Sequence, residues 1–235
     1  MNRKIVIEIN FNNYGMNPNR LTREWISERL DIFRTFTLRS LLSQTNTDFL
    51  SVVKLAGGCS DIVEEELARH EPIPDHIRFG TSIESKRRIH AYIEGADELL
   101  IARIDSDDLY HQSFVQQLHD YKFQSETVAL VNQMGYLWDA VEGQMAPVFH
   151  RSPSFYVFRY QVEDFLNDYR VVIPGKGTHG YVTELPHEVI PLRNYVNVIH
   201  AANTSVKKVP AKDRLSENEM NAVLAEFLGT GIANS

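Results

Sequence analysis

The sequence is poor in cysteine and contains no long apolar run. Its single cysteine, Cys59, excludes an internal disulfide and a multi-cysteine zinc site, so a reducing compartment is the simpler expectation. Two glycines precede Cys59, and this loop-like setting favours a passive residue over a nucleophile. No stretch approaches the ~20 apolar residues of a membrane span, and the first apolar run is too short for a signal peptide. We therefore expect a soluble cytoplasmic protein.

Positive charge is also scarce. The 24 Lys and Arg residues are outnumbered by 31 Asp and Glu, which gives a formal net charge of −7 and a pI near 5.7. Nucleic acid and anionic membranes require clustered Lys and Arg, so we expect neither as a general partner. An anionic ligand must then be bound by local groups. Hydrophobic residues make up 43% of the 235-residue chain, which is enough for a globular protein with a buried core.

The first half of the chain alternates between strand-like and helix-like segments. Short apolar runs bounded by turn residues predict strands, and apolar residues spaced three and four apart predict helices. The predicted segments are a strand at 5–9, a helix from about 22, a strand at 49–55, a helix at 61–70, a strand at 77–79, a helix at 82–95 and a strand at 99–104. This alternation indicates an α/β protein with a mostly parallel, nucleotide-binding type of sheet flanked by helices.

The second half predicts a more antiparallel and more irregular arrangement. A predicted helix at 111–122 is followed by strands at 128–131, 135–138, 155–160 and 171–173, a late strand at 195–200 and an amphipathic helix at 216–229. Strands in such quick succession leave little room for helical crossovers, so we expect antiparallel pairing here.

Three carboxylates follow the last strand of the first half, at Asp105, Asp107 and Asp108. The period of two along a strand places Asp105 and Asp107 on one side of the sheet's end, with Asp108 turned away. One acid, either Asp107 or Asp108, would suffice to cap the next helix, but three acids this close repel one another unless a cation is near. Such oxygen ligands favour Mg²⁺ or Mn²⁺ over zinc, with substrate phosphates completing the shell.

The spacing of these acids excludes two other acid-rich motifs. An EF-hand loop that begins at Asp105 would need an oxygen ligand at Leu109 and a glycine at Tyr110. A phosphatase of the haloacid dehalogenase type carries DxDx(T/V) on its first strand, whereas this cluster lies in mid-chain with Leu109 in the fifth place. Neither class fits.

The glycine-rich stretch Gly175–Gly180 matches the dinucleotide fingerprint G-x-G-x-x-G in its letters. It follows Pro174, Pro186 comes soon after it, and the expected acid is absent near residues 195–200. A flexible loop over an active site is the better interpretation. His179 is the only side chain of this loop that exchanges protons near neutral pH.

His200 differs from the other histidines in its surroundings. It ends an apolar strand-like run and precedes the small and polar residues AANTS, which would let a ligand approach closely. An imidazole can complete a manganese site held by aspartate. A metal ligand and an ordinary core histidine both stay open as interpretations of His200.

These pieces together resemble the metal-dependent glycosyltransferases of the GT-A fold and, among them, the bacterial putative rhamnosyltransferases. The resemblance rests on INFNN, on the long helix with RLDIF that leads into LRSLLSQTNTDF, on ARIDSDDLY and on VIHAANTS. It implies one catalytic domain at residues 1–206, with a nucleotide-binding half at 1–110 and an acceptor half at 111–206, followed by a linker and a C-terminal helix at 207–235.

The resemblance also implies which residues bind the donor, a nucleoside diphosphate sugar. Asp105 would lie near the ribose, Asp107 and His200 would hold Mn²⁺ or Mg²⁺, and Asp108 would be a supporting acid. The further donor-binding residues that it implies are Asn10, Phe11, Asn12 and Ser106.

The catalytic base is open between two residues. Many GT-A enzymes carry an acidic base at the start of a helix in the second half, where this chain has Glu163 and Asp164 soon after a strand, while the glycine-rich loop offers His179. We consider Asp164 and His179 as candidates for the group that takes the proton of the acceptor hydroxyl. The expected reaction moves a sugar to a saccharide or other hydroxyl acceptor with inversion, and rhamnosyl transfer is one form of it.

Two other function classes share some of these features. Nucleotidyltransferases also use paired acids and a metal, but they usually carry a glycine- and lysine-rich loop after the first strand, and NFNNYGMNPN is not one. A non-catalytic module that binds nucleotide sugars or carbohydrates would keep the fold and release no nucleoside diphosphate. Turnover therefore separates such a module from an enzyme.

Overall fold

The computed structural model describes residues 2–13, 17–203 and 207–229. Gly15 of the predicted first-strand loop, and Thr204 and Ser205 of the segment after His200, lie outside the described residues. The strands are β1 (Arg3–Asn10), β2 (Leu50–Leu55), β3 (Ile77–Thr81), β4 (Glu98–Asp105), β5 (Leu109–Tyr110), β6 (Ala129–Val131), β7 (Met134–Asp139), β8 (Gln144–Phe149), β9 (Tyr156–Gln161), β10 (His187–Val189) and β11 (Tyr195–Ile199). The helices are α1 (Arg23–Phe33), α2 (Arg39–Leu42), α3 (Ser60–Leu67), α4 (Ser82–Tyr92), α5 (Phe114–Asp120), α6 (Val162–Leu166) and α7 (Glu217–Leu228), with a π-helical segment at Arg34–Leu38 and a 3₁₀ helix at His179–Glu184.

The larger sheet has seven strands in the order β10, β6, β9, β4, β1, β2, β3. β4, β1, β2 and β3 run parallel, with helices in the connections between them. β9 runs antiparallel to both of its neighbours, β4 and β6, whereas β10 is parallel to β6. This confirms the predicted α/β class, with its parallel first half and its more antiparallel second half.

β1 and β4 form the centre of this sheet and pair along their whole length. Alternate residues face the two layers of helices, so Ile7 packs into one core and Val6 into the other. Burial on both faces explains why these strands are almost continuously apolar. Their register places Asn10 beside Asp105 at the carboxyl edge, where parallel sheets bind ligands.

The long helix after the first loop is interrupted in its middle. Thr22 caps α1, since its hydroxyl accepts a hydrogen bond from the backbone N–H of Trp25. The π-helical segment then buries three successive residues, Phe36, Thr37 and Leu38, before α2 resumes a regular turn. Phe36 and Leu38 join different apolar clusters, which confirms that this helix is covered from two directions.

A smaller sheet of four strands, in the order β5, β11, β7, β8, lies beside the carboxyl edge of β4. α7 packs its Leu224, Phe227 and Leu228 against Val196 and Val198 of β11. A capping box between Ser216 and Glu219 fixes the first turn of α7. The C-terminal helix predicted from its amphipathic pattern is therefore confirmed as a helix.

Two details of the second half differ from the sequence predictions. Val171–Ile173 does not form a strand, although its β-branched residues suit one, because a strand also needs a neighbour to pair with. β8 was not predicted, and Pro147 within it explains why, since a proline argues against a central strand. β8 is an edge strand of its sheet, where a proline is tolerated.

Among the described residues, none of the helices combines the length and the apolar character that crossing a bilayer requires.

Candidate functional site

A tight turn at residues 105–108, which we call the acid turn, carries the three acids. β4 ends at Asp105, and the N–H of Asp108 donates to the carbonyl oxygen of Asp105 over 3.3 Å. The hydroxyl of Thr37 lies 3.2 Å from that same oxygen and 2.9 Å from the carbonyl oxygen of Asp108. The turn, rather than a continuing strand, brings Asp105 and Asp107 to the wall of one cavity.

Asp105 forms an ion pair with Arg103 at 2.8 Å. The two residues are two positions apart on β4, so the strand's period places them on the same face. Arg103 also donates to the carbonyl oxygen of Ser154 over 3.1 Å, which fixes the guanidinium beside the carboxylate. Part of the negative charge at the turn is therefore balanced by the strand itself.

Asp107 has two partners from distant parts of the chain. Its Oδ2 lies 3.1 Å from Nε2 of His200 and 3.3 Å from the guanidinium of Arg29 on α1. Burial favours the neutral acid, but the hydrogen bond with His200 and the charge of Arg29 outweigh it and lower the pKa of Asp107. The structure thus brings together Asp107 and His200, the two predicted metal ligands.

Asp108 points away from the cavities, as predicted, but it does not cap a helix. Its Oδ1 accepts hydrogen bonds from the backbone N–H of Val198 and the side chain of Asn197, at 3.0 and 2.8 Å. The residue at the N-cap of α5 is Ser113, so the capping interpretation of Asp108 is wrong. Burial and the charges of Asp107 and Asp105 raise the pKa of Asp108 well above its usual range.

The first cavity has a volume of about 230 Å³ and lies between α1, the end of β1 and the acid turn. Asn10 and Asp105 line it side by side, as their register requires. Its walls include Asn10, Phe11, Asn12, Arg20, Trp25, Glu28, Arg29, Ile32, Asp105, Asp107 and Asn203. All three predicted first-strand residues are thus part of one cavity with two of the acids.

The three first-strand residues differ in what they offer to a ligand. Phe11 is 5% exposed and packs edge-on against the rings of Trp25 and Phe79. The side chain of Asn12 is used within the protein, because its oxygen accepts from the N–H of Ala56 at 2.9 Å and its nitrogen donates to Arg20 and Cys59. Asn10 is less buried than the other two, and its Oδ1 accepts a hydrogen bond from Nδ2 of Asn13 at 3.0 Å.

Ser106, predicted to bind the donor, is completely buried. Its hydroxyl accepts a hydrogen bond from Nε of Arg29 over 3.0 Å. Ser106 therefore holds Arg29 in place next to Asp107, and it reaches a ligand only through that guanidinium. This placement corrects the expectation that Ser106 contacts the donor directly.

A second cavity of about 330 Å³ lies on the other side of Asp105, which lines both. Its walls are Arg103, Asp105, Leu137, Val148, His150, Ser152, Pro153, Ser154, Phe155, His179, Tyr195, Asn197 and Lys207. Partial burial and the charge of Arg103 lower the pKa of His179, against the opposing effect of Asp105. His179 is thus a neutral imidazole near pH 7, and its residue stays open to solvent.

Asp164 lies far from both cavities. It belongs to α6, which follows the end of β9, and Gln161 at that end pairs with Glu98 at the start of β4. The seven residue steps from Glu98 to Asp105 span about 23 Å of strand. The structure therefore contradicts Asp164 as a candidate base, because antiparallel pairing sends it to the opposite edge of the sheet.

Several residues of the site were not identified from the sequence. Trp25, Glu28, Arg29 and Ile32 line the first cavity and have the spacing of one helix face, a signal that pointed only to packing. Lys207, assigned to a basic linker, instead donates to Oδ1 of Asn197 over 2.7 Å and lines the second cavity. No local pattern marks this position.

Within residues 2–13, 17–203 and 207–229, no three side chains of His, Cys, Asp or Glu come together in the way that a closed metal site needs. Asp107 and His200 supply two donors, which suits an ion that takes its remaining ligands from a substrate and water.

Comparisons with known proteins identify a family. A model of the family described as putative rhamnosyl transferase matches residues 18–158, and no curated protein matches the chain. The match includes α1, the acid turn and the first strands of the second half.

Solved structures with a similar chain path were also found. S. aureus TarS 1-349 in complex with UDP-GlcNAc has 13% identity and a TM-score of 0.46, over 96% of this chain and 71% of that one. A cytidylyltransferase from Leptospira borgpetersenii has 10% identity and a TM-score of 0.39, over 83% of this chain and 77% of that one. The assignment rests on the family match, which spans more than half of the sequence: the chain belongs to the putative rhamnosyl transferase family and is a glycosyltransferase.

Proposed function

We propose that the protein is a metal-dependent glycosyltransferase that moves a sugar from a nucleoside diphosphate sugar to an acceptor hydroxyl with inversion. The observation that carries this proposal is the position of Asp105, which stands at the carboxyl end of the central strand and lines both cavities. A donor in one cavity and an acceptor in the other would meet at this residue.

The first cavity suits the nucleoside diphosphate part of the donor. Asn10 offers an amide and Asp105 a carboxylate for ribose hydroxyls, while Arg29 and Arg20 supply positive charge for phosphates. Nε of Arg20 is buried and has no hydrogen-bond partner among the described residues, so an anionic ligand would satisfy it. These groups sit at the sheet edge that α/β proteins use for nucleotides.

Asp107 and His200 could hold Mn²⁺ or Mg²⁺. Asp107 supplies a carboxylate oxygen, which suits either ion, and His200 supplies an imidazole nitrogen, which favours Mn²⁺. Their donor atoms are 3.1 Å apart, so both could contact one ion. When bound, the ion would neutralise the leaving diphosphate. To bind the ion through Nε2, His200 would have to carry its ring proton on Nδ1. In the structure, Nδ1 accepts a hydrogen bond from the N–H of Ala202 at 3.3 Å.

His179 is the proposed catalytic base. Its lowered pKa keeps the imidazole neutral and able to accept a proton at pH 7, and it lines the second cavity together with Asp105. As the acceptor oxygen bonds to the anomeric carbon, its proton passes to His179, and the carbon–oxygen bond to the diphosphate breaks with its electron pair on the diphosphate. One displacement of this kind inverts the anomeric carbon.

The donor sugar is proposed from the family description. The chain matches a family described as putative rhamnosyl transferase, which supports a rhamnosyl donor. A comparison of several nucleoside diphosphate sugars, measured as release of the nucleoside diphosphate, would rank rhamnose against other hexoses.

The test combines binding and turnover. A nucleoside diphosphate together with Mn²⁺ should raise the melting temperature more than either alone, because both would bind the folded state at one site. Asp107→Asn should abolish the extra shift and the metal-dependent release of nucleoside diphosphate, while Asp164→Asn, an exposed acid at the opposite edge, serves as the matched control. Unchanged metal dependence in Asp107→Asn would disprove the metal assignment.

The same measurements separate an enzyme from a binding module. A module would show the linked melting shift and no nucleoside diphosphate release with any acceptor. A nucleotidyltransferase would release pyrophosphate from a nucleoside triphosphate instead.

A further inference from the structure

The walls of the second cavity carry an excess of positive charge. Arg103 and Lys207 are cationic, His150 and His179 can become so, and Asp105 is the one carboxylate among the described lining residues. Asp105 is already paired with Arg103. In a chain with a net charge of −7, a cationic pocket is a local feature that needs its own explanation.

Lys207 forms no ion pair within the described residues, although its charge acts on the buried carboxyl group of Asp108. Its ammonium donates to the neutral amide oxygen of Asn197 at 2.7 Å, and within the described chain no carboxylate lies within ion-pair distance of it. Asn197 in turn donates to Asp108, so the ammonium is held at a fixed place on the wall. A cation that is held by a neutral amide and forms no ion pair is available to an anionic group.

The charges converge on one region of the cavity. Arg103, Lys207 and His150 all act on His179, and each of the three disfavours its protonation. Groups that influence one imidazole in this way lie around a shared space. The positive side chains therefore surround the place where the acceptor hydroxyl would meet the base.

The donor diphosphate does not account for this charge. Its proposed partners, Arg20 and Arg29, line the first cavity, on the other side of Asp105. Lys207, His150 and His179 line the second cavity and not the first. The second cavity also continues past His150 and Ser152 into a neighbouring hollow of about 310 Å³, which is lined by both Arg151 and Glu184.

We propose that the second cavity binds an acidic acceptor, a saccharide or polyol that carries a carboxylate or phosphate group next to the hydroxyl that is glycosylated. The inference rests on the proposed function and names its acceptor class. Lys207 binds the anionic group, and the hollow beside His150 takes the next unit of an extended acceptor.

The test compares three matched probes by isothermal titration calorimetry on the full chain with a nucleoside diphosphate and Mn²⁺ present. The probes are a methyl glucoside, the methyl glucuronide and the methyl glucoside 6-phosphate, which differ only at the sixth carbon. At least one acidic probe should bind ten or more times more tightly than the neutral one, and the preference should shrink in high salt. The acidic probe that binds more tightly shows whether the cavity prefers a carboxylate or a phosphate group.

Two variants test whether Lys207 is responsible for the preference for acidic probes. Lys207→Gln should remove the preference for the acidic probe, whereas Lys208→Gln, the exposed neighbouring lysine that lines neither cavity, should keep it. Equal or tighter binding of the neutral probe, no binding of either acidic probe, or an unchanged preference in Lys207→Gln overturns the inference. The melting shift with nucleoside diphosphate and Mn²⁺, measured on the same samples, shows separately whether the proposed donor site stands.

Discussion

The hydroxyl of Thr37 donates to the carbonyl oxygen of Asp108 over 2.9 Å, which ties the π-helical segment to the turn that carries the acids. The same hydroxyl lies 3.2 Å from the carbonyl oxygen of Asp105. A π-helical segment is an irregular turn that recurs at functional sites. Here it places the buried hydroxyl of Thr37 within hydrogen-bond distance of the carbonyl oxygens at both ends of the acid turn.

Thr37→Val should therefore loosen the turn without changing the volume of the side chain. The substitution removes the donor and leaves a buried carbonyl oxygen unsatisfied, which costs about 1–3 kcal/mol. Urea unfolding measures this loss of stability. A nucleoside diphosphate with Mn²⁺ should also give a smaller melting shift, because Asp107 would be less well positioned.

Thr35→Val is the matched control for this prediction. Thr35 lies in the same π-helical segment, two residues earlier, and is exposed. Its stability should stay within about 0.5 kcal/mol of the wild type, as for other surface substitutions. If both variants lose the same stability, the hydrogen bonds of Thr37 are not what holds the turn.

Much of the first half of the fold could be predicted because its strands are short apolar runs with clear breakers between them. β1 and β4 are buried on both faces, so local composition alone identifies them. Val171–Ile173 has the same local character and is not a strand. The difference is the pairing partner, which the local sequence does not contain.

The functional site was also predicted only where the local sequence carries the signal. Asp105 and Asp107 were predicted because a strand end with acids has a simple chemical meaning, and His200 because it ends an apolar run. Asp164 was considered because the resemblance implies an acidic base at the start of a helix in the second half, but the antiparallel register of β9 carries it to the far edge. Lys207 reaches its place only through the packing of β11 and the acid turn, which no spacing encodes.

Glu98 should be one of the strongest single contributors to stability. Its carboxylate is fully buried between Arg3 and Arg159, with Nε to oxygen distances of 2.5 and 2.7 Å. Glu98→Ala would leave two largely buried guanidinium groups without their shared partner. We expect a loss of about 3–5 kcal/mol in the free energy of unfolding.

Glu94→Ala, an exposed glutamate in the loop just before β4, is the control for Glu98→Ala and should change stability little. Chemical denaturation of both variants makes the comparison. A loss below 1 kcal/mol in Glu98→Ala would mean that water enters the site and solvates the two arginines.

Gly135 is needed because of Tyr195 on the neighbouring strand. A methyl group added at Gly135 would come within 2.4 Å of the Tyr195 ring, which is itself stacked on Phe155 at 3.8 Å. Gly135→Ala should therefore destabilise the smaller sheet by about 1–3 kcal/mol, as overpacking does. Gly57→Ala, where nothing lies within 4 Å, should be close to neutral, and equal melting temperatures of the two variants would contradict the prediction.

The proposed role of His179 predicts the pH dependence of the reaction. A base must be neutral to accept a proton, and burial together with Arg103 lowers the pKa of His179 from its usual value of 6.5. The rate constant kcat/KM should therefore stay high as the pH falls to 6.5 and decline only below it. Because Lys207 also opposes protonation of this imidazole, Lys207→Gln should move the midpoint of that decline to higher pH.

His179→Gln should lower kcat/KM by about 100-fold or more, the usual contribution of a general base, and should abolish the decline at acidic pH. The control is His70→Gln, since His70 follows α3 and lines neither of the two cavities beside Asp105. The profile of kcat/KM from pH 5 to 8 decides between the possible bases. A decline that persists unchanged in His179→Gln belongs to another group, and the second cavity then offers His150 as the base to test next.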